Sequence, residues 1–368
     1  MKTLYIAAIV LVALTTAVLW FSWDTIFYEP QICFLDELDA GAPDLIFACT
    51  DEKDVILSPE SIDQQQLVQY AFELINADRS KYGEQELVLI NNDFTQKHAE
   101  ELLFTCMTSY WSASGLKPYM RYSIAGGEGG IMENVRVLGT PNLKKHWTEE
   151  SIKQVIAWNQ YSMVEGDEPS DWYHSQNLLY PMHNNVAIGI AWNDFCISIV
   201  QDFEHDYIDW RQYPTITSDN MLKLSGEIQF NSTLQNIDIF FEPTPVPLSD
   251  LQLMSTPLRY SYGHQCSIFS CVSSMSVGNI IPNPSDEFTE EDMEKVLNVQ
   301  SEKSETTIVL VAREWEIKHS SDKTTFSISD DITKLIDEFG TGVYTVIIWT
   351  TPDNTENTIA ITTISIFV

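Results

Sequence analysis

Residues 185–203 carry the sequence pattern that most restricts how this chain can fold. Within residues 185–192, one set of alternate positions is bulky and the other set is small or polar. The bulky positions are Val186, Ile188, Ile190 and Trp192, and the others are Asn185, Ala187, Gly189 and Ala191. This period of two predicts a strand, and Asn193-Asp194 predicts a turn into a second strand from Phe195 to Phe203. Because one face of the first strand is nearly bare, we expect a helix to pack closely against it.

The charge of the chain argues against one group of partners. Its 53 acidic and 20 basic residues give a formal net charge of −33 at pH 7. A surface of this kind repels polyanions, so neither nucleic acid nor an anionic membrane surface is an expected partner. The sequence also contains no P-loop, HExxH, nucleophile elbow or dinucleotide-binding motif. These enzyme classes are therefore not indicated.

The N-terminal segment predicts a membrane anchor. Residues 3–23 carry no charge and are long enough to cross a bilayer. The run ends in bulky aromatic residues rather than the small residues of a cleavage site, which favours an uncleaved transmembrane helix over a signal peptide. Lys2 predicts that the bulk of the chain lies on the extracytoplasmic side. We therefore expect a single-pass cell-membrane protein, with a secreted protein as the alternative.

Six cysteines fit the oxidising side of a membrane. Sequence proximity favours two pairs, which leaves the two remaining cysteines for each other, although other pairings stay open. The expected disulfide bonds are Cys33–Cys49, Cys266–Cys271 and Cys106–Cys196.

Three helices are predicted ahead of the hairpin. The first begins at Ser61, which can form a capping box with Gln64, and ends at Gly83. The others are expected over residues 93–107 and 148–163, and His98 of the second is expected to be packed or half-exposed. A short strand is expected over residues 87–90.

The C-terminal part predicts a different architecture. Short alternating runs rich in Thr, Ser, Ile and Val are separated by turn signals, as is typical of a β-sandwich. These runs lie at residues 222–228, 237–241, 308–311, 324–328, 344–349 and 359–367, with one short helix near 332–339. The predicted parts of the chain are an anchor or signal segment (1–23), an acidic spacer (24–57), a first domain (58–213) and a β-sandwich-like domain (217–368).

Several segments between residues 62 and 210 together resemble one known family. In order they read LINADRSKYGEQELVL, GLKPYMRY, MENV, WYHSQNLL with NNVAIGIAW, and VQDFE. They resemble the CAP superfamily (SCP domain) of cysteine-rich secretory proteins, antigen 5 and pathogenesis-related proteins, in its divergent prokaryotic branch. The resemblance implies an α-β-α sandwich with a cleft lined by two histidines and two acids. With the C-terminal β region and the N-terminal helix, the predicted fold class is α+β.

The resemblance assigns cleft residues one by one. Glu133 matches the acid of the Glu-Asn motif, His174 matches the second histidine, and Tyr110 stands where the first histidine is expected. A neutral phenol is a poor zinc ligand, so the predicted metal ligands are Glu133 and His174, which would hold a divalent cation only weakly. Each also has an ordinary structural interpretation, as a hydrogen-bonded group. The candidates for the second acid are Glu149, Glu150 and Glu165.

Binding at the cell surface is the predicted function. The expected partner is a cell-surface protein, a lipid or a small apolar ligand, and no catalytic residue is assigned. Two alternatives stay open, namely a cation-assisted hydrolase that uses Glu133 and His174, and a structural cell-envelope protein. The absence of the first histidine counts against the hydrolase.

Overall fold

The structure is a computed structural model that describes residues 62–139, 143–170, 172–263, 276–282, 307–320, 322–353 and 355–368. Residues 62–368 form one compact unit. Among the described residues, no helix is long and apolar enough to cross a membrane. Several predictions fall outside the described residues: the anchor, the acidic spacer, and the pairs Cys33–Cys49 and Cys266–Cys271.

The predicted helices ahead of the hairpin are present, with different ends in two of them. Helix α1 spans Gln64–Tyr82 and ends at Gly83, which adopts a φ of 83° and caps the helix as predicted. The predicted cap at Ser61 is wrong, because the carboxylate of Asp63 accepts the backbone N–H of Gln65 and caps the helix two residues later. Helix α2 spans Asp93–Leu102 and is shorter than expected, because the chain turns after Leu102. Cys106 has a φ of 51°, in the left-handed region, which a right-handed α-helix cannot contain. The remaining helices are α3 (Pro118–Ile124), α4 (Glu149–Val164, capped by Thr148), a 3-10 turn (Glu168–Ser170), α5 (Tyr173–Leu178), α6 (Asp250–Leu253) and α7 (Thr333–Phe339).

The first sheet is built around the predicted hairpin. Its strands lie in the order β1-β3-β4-β2. They are β1 (Val88–Leu89), β2 (Gly130–Gly139), β3 (Asn185–Trp192) and β4 (Cys196–His205). The turn between β3 and β4 is Asp194-Phe195, one residue later than predicted. Asn193 pairs with Cys196, and its side-chain oxygen accepts the backbone N–H groups of Phe195 and Cys196, so Asn193 precedes the turn instead of forming its centre.

The two faces of this sheet pack as the alternating pattern predicts. Helix α2 lies on the bare face, where a Cβ atom at Gly189 would stand 2.5 Å from the carbonyl oxygen of Thr95. Helices α1 and α4 cover the bulky face. The buried core there includes Leu67, Ala71, Ile75, Ile152, Ile156, Val186, Ile188, Ile190, Ile197, Ile199 and Phe203. The sheet therefore has helices on both faces, and the predicted α+β class is confirmed.

Two further sheets enclose one core in the C-terminal part. Their strand orders are β10-β11-β6-β5 and β13-β12-β7-β8-β9, with β14 also paired to β12. The bounds are β5 (Ile208–Ile216), β6 (Met221–Ile228), β7 (Ser232–Glu242), β8 (Gly278–Ile281), β9 (Ile308–Val311), β10 (Glu314–His319), β11 (Thr324–Asp331), β12 (Val343–Pro352), β13 (Ile359–Ala360) and β14 (Ile364–Phe367). Five of the six predicted runs lie within one strand each, and the run 359–367 is divided between β13 and β14. Strands β5, β8 and β10 were not predicted.

The first sheet and the C-terminal part share a buried contact. Tyr119 and Tyr122 of α3 pack in one cluster with Ile131 of β2, Val343 of β12 and Ile364 of β14. The Thr363 hydroxyl accepts the backbone N–H of Ile131 at 3.1 Å. This contact fixes α3 between the two parts of the chain.

The predicted disulfide bond Cys106–Cys196 is present. It joins the segment after α2 to the start of β4 across 90 residues of sequence. The bond therefore fastens the helix on the bare face to the hairpin beneath it.

Replacing both Cys106 and Cys196 with alanine is expected to lower the free energy of unfolding by about 2–5 kcal/mol, because the bond restricts a long loop in the unfolded chain. Urea denaturation of wild type and variant checks this. The matched control is Cys266→Ala with Cys271→Ala, which opens a much shorter predicted loop and should cost less. Equal urea midpoints for wild type and the Cys106/Cys196 variant would contradict the prediction.

Candidate functional site

Glu133 lies in the edge strand β2 with its side chain fully buried. Successive residues of a strand point to opposite faces, so Glu133 lies on the face of α2 and α3 whereas Asn134 lies on the other. Its carboxylate accepts a hydrogen bond from Arg121 Nη2 at 2.5 Å. The acid of the Glu-Asn motif therefore has an internal cationic partner.

Arg121 also holds the chain segment before α3. Pro118 occupies the first turn of α3, where its missing N–H costs nothing, and so favours a helix start there. The Arg121 guanidinium donates to the backbone carbonyl oxygens of Tyr110 at 2.8 Å and Leu116 at 3.0 Å. One side chain thus links α3, β2 and the segment that contains Tyr110.

A second buried acid faces Glu133. Asp202 of β4 is the cross-strand partner of Glu133 and accepts the Thr95 hydroxyl at 2.6 Å. Burial raises the pKa of both carboxyl groups, although the charge of Arg121 opposes the shift in each. Because two adjacent buried carboxylates cannot both ionise at low cost, we interpret the pair as holding one proton, with Arg121 balancing the remaining charge.

His98 completes this buried network. Its Nε2 donates to the carbonyl oxygen of Ser109 at 3.0 Å and lies 3.8 Å from a carboxylate oxygen of Glu133. Burial lowers the pKa of His98 well below its usual value, and the nearby charge of Arg121 lowers it further. The prediction that His98 is packed is confirmed, and the side chain is a neutral hydrogen-bond donor.

His174 lies in α5 with a different acid as its partner. Its Nδ1 is 2.6 Å from Asp167 Oδ1, and the second oxygen of Asp167 accepts the backbone N–H of Ser175 at 2.9 Å. The Asn134 amide donates to the carbonyl oxygen of His174, and Asn177 donates to Asn134. The asparagines of the Glu-Asn and Trp-Tyr-His motifs therefore position α5 against β2.

Tyr110 is buried in the segment that Arg121 holds. Burial raises the pKa of its phenol, and the charges of Glu133 and Asp167 raise it further. Its ring packs against that of Tyr260, with centroids 5.0 Å apart. A phenol kept neutral in this position is a packing group.

A segment of the C-terminal part covers the site. Residues 243–263, named here the cover segment, leave β7 and cross the chain near Tyr110. The Thr256 and Ser109 hydroxyls are 2.8 Å apart, the Tyr260 hydroxyl accepts the Glu133 backbone N–H at 3.2 Å, and Lys117 Nζ donates to the Ser261 carbonyl oxygen at 2.9 Å. The site is thus closed by the chain itself.

The predicted metal pair is not joined directly. Within the described residues, no hydrogen bond or ion pair links Glu133 to His174, and no group of three or more His, Cys, Asp or Glu side chains is placed to hold a metal ion. Metal binding by these two residues stays a prediction.

The candidates for the second acid lie elsewhere. Glu149 pairs with Lys153, Glu150 accepts from Gln154, and Glu165 pairs with Lys81. The acid beside His174 is Asp167, which was not predicted. Arg121 and Asp202 were also missed, although an acid within the apolar strand segment VQDFE is itself a signal for a buried site.

Comparisons with known proteins concern part of the chain. No protein-family model and no curated protein sequence matches it. Two similar solved structures are an extracellular SCP-domain protein from Bacillus anthracis (17% identity, TM-score 0.30, 42% of this chain) and the CAP domain of enterococcal PrgA (15%, 0.29, 39%). The matches span 45% and 62% of those chains, less than two thirds of each. Both descriptions name the domain that the sequence resembles, and the matches carry no further conclusion about this chain.

Replacing Asp202 with asparagine should flatten the pH dependence of stability. A buried acid with a raised pKa binds its proton more tightly in the folded state, so it stabilises the fold below its unfolded pKa and loses that contribution as the pH rises. Between pH 5 and pH 8 the wild type should therefore lose free energy of unfolding relative to Asp202→Asn, by at most about 1.4 kcal/mol per pH unit for one proton.

Urea denaturation of both proteins at several pH values checks this expectation. The histidines are common to both proteins, so their titration cancels in the difference. Asp331→Asn, at an acid outside the buried network, is the matched control. Parallel profiles for wild type and Asp202→Asn would show that the pair holds no shared proton.

Proposed function

We propose that this chain is an extracytoplasmic CAP-type protein that binds a partner and does not catalyse a reaction. The observation that carries the proposal is the closed, charge-balanced site. One oxygen of the Glu133 carboxylate accepts a hydrogen bond from Arg121, and Tyr110 packs against Tyr260 where the resemblance expects a metal-binding histidine. A hydrolytic site needs an accessible ligand set or nucleophile, and these residues are engaged in holding the chain together.

The extracytoplasmic location rests on three features of the chain. The Cys106–Cys196 bond fits an oxidising compartment. The uncharged residues 3–23 supply the proposed anchor, and the net charge of −33 suits a soluble surface-exposed body. Single-pass membrane attachment is therefore part of the proposal, with secretion as the alternative.

One observation favours a second candidate, a hydrolase. His174 and Asp167 form a hydrogen-bonded pair, and the histidine side chain is 20% exposed. Such a pair can act as a general base if a substrate or water reaches it. The adjacent Ser175 hydroxyl donates to the Trp172 carbonyl oxygen, so it is not held by the imidazole as a nucleophile would be.

Hydrolysis of ester, peptide and glycoside substrates, with and without added zinc, separates the two candidates. We expect no turnover above background, and the same background from His174→Ala, because the described residues around His174 form neither a metal site nor an activated nucleophile. His146→Ala, at an exposed histidine, is the matched control. Turnover that is lost in His174→Ala and kept in His146→Ala would overturn the proposal in favour of the hydrolase.

A further inference from the structure

Two consecutive residues of the cover segment occupy the site in different ways. The Arg259 guanidinium lies over the ring of Tyr173, 4.2 Å from its centroid, and donates to the Ser170 carbonyl oxygen at 3.0 Å. An aromatic face and a carbonyl oxygen together form a seat for a guanidinium. This seat is built from the residues around His174.

Tyr260 fills the other half of the site. Its ring packs against Tyr110 at 5.0 Å and Tyr119 at 6.1 Å between centroids, and its hydroxyl accepts the backbone N–H of Glu133. Two aromatic walls and one fixed donor define a slot for a phenol. The slot is built from α3, β2 and the segment that Arg121 holds.

We infer that this site recognises an extended peptide carrying an arginine followed by an aromatic residue, and that Arg259–Tyr260 occupies it in the resting protein. The inference rests on the proposed binding function and names the class of partner. Each group that contacts the pair recognises a feature of a peptide: a guanidinium, a phenol ring and its hydroxyl.

The cover segment is held unevenly. Residues 243–255 have few contacts: all four residues of α6 are exposed or half-buried, and this part is bonded through Leu248, whose N–H donates to the Ala113 carbonyl oxygen at 2.9 Å. Residues 256–263 carry the remaining bonds, to Ser109 and Lys117, and the packing of Tyr262 on Tyr119. Segments with few buried apolar contacts open at low free-energy cost, so residues 243–255 can move away readily, and a competing peptide must then displace the contacts of residues 256–263.

Attachment to the same chain explains why the resting site is closed. A tethered segment acts at an effective concentration on the order of 1 mM. A free peptide whose intrinsic Kd is about 0.1 mM would then bind the resting protein roughly tenfold more weakly than it would bind a site without the tethered segment. Removing the Arg259 and Tyr260 side chains from the tethered segment should therefore tighten binding of the free peptide by the same factor of about ten.

The test uses a fluorescent peptide of residues 255–263, STPLRYSYG, and fluorescence anisotropy. We expect saturable binding to the full chain with Arg259→Ala and Tyr260→Ala, at least about tenfold tighter than to wild type. Leu251→Ala, an exposed position of the same segment, should behave as wild type. The same peptide with alanine in place of its arginine and first tyrosine should not bind. Equal binding of both peptides, or no binding to the folded double variant, overturns the inference.

The single variant Arg259→Ala keeps the test decisive if the double variant does not fold. Arg259 is exposed, so its loss leaves the core intact while weakening the tethered occupant. Binding of the peptide should then tighten by about two- to threefold, and unchanged binding overturns the inference. If the protein binds no peptide and shows no hydrolysis, only this class of partner is excluded. Hydrolysis that depends on His174 would overturn the proposed function itself.

Discussion

The buried ion pair between Arg121 and Glu133 is the interaction on which the site depends. Removing two charges from water is costly, and the cost is recovered only when every donor and acceptor finds a partner. Arg121 meets much of this condition by bonding Glu133 and the carbonyl oxygens of Tyr110 and Leu116, whereas its Nε and the second oxygen of Glu133 are buried without a hydrogen-bond partner among the described residues. The pair therefore fixes the edge strand, α3 and the segment beside the cleft in one arrangement.

The same pair determines what the site can do. On our interpretation the Glu133 carboxylate balances a guanidinium and shares a proton with Asp202, so a metal ion would have to displace both. Tyr110 and the cover segment close the space above it. The rings of Trp172 and Tyr173 beside the site are 42% and 54% exposed, and such a surface suits recognition better than bond cleavage.

Local patterns predicted the elements but not the partners of the site. The period of two in residues 185–192 predicted both the hairpin and the helix against Gly189, because strand alternation is set by neighbouring residues. Arg121 and Asp167 were not predicted, because a single sequence does not report which distant acid or base lies opposite. Strand β10 was missed because its charged residues alternate with Trp315 and Ile317 at a sheet edge, where polar side chains are tolerated.

A double-mutant cycle between Arg121 and Glu133 tests this account most directly. Urea denaturation gives the free energies of unfolding of wild type, Arg121→Met, Glu133→Gln and the double variant. Each single change leaves a buried group without its partner, so we expect each to cost about 3–5 kcal/mol and the double variant to cost at least about 2 kcal/mol less than their sum. Costs that add to within about 0.5 kcal/mol would contradict the account, because the two side chains would then stabilise the fold independently.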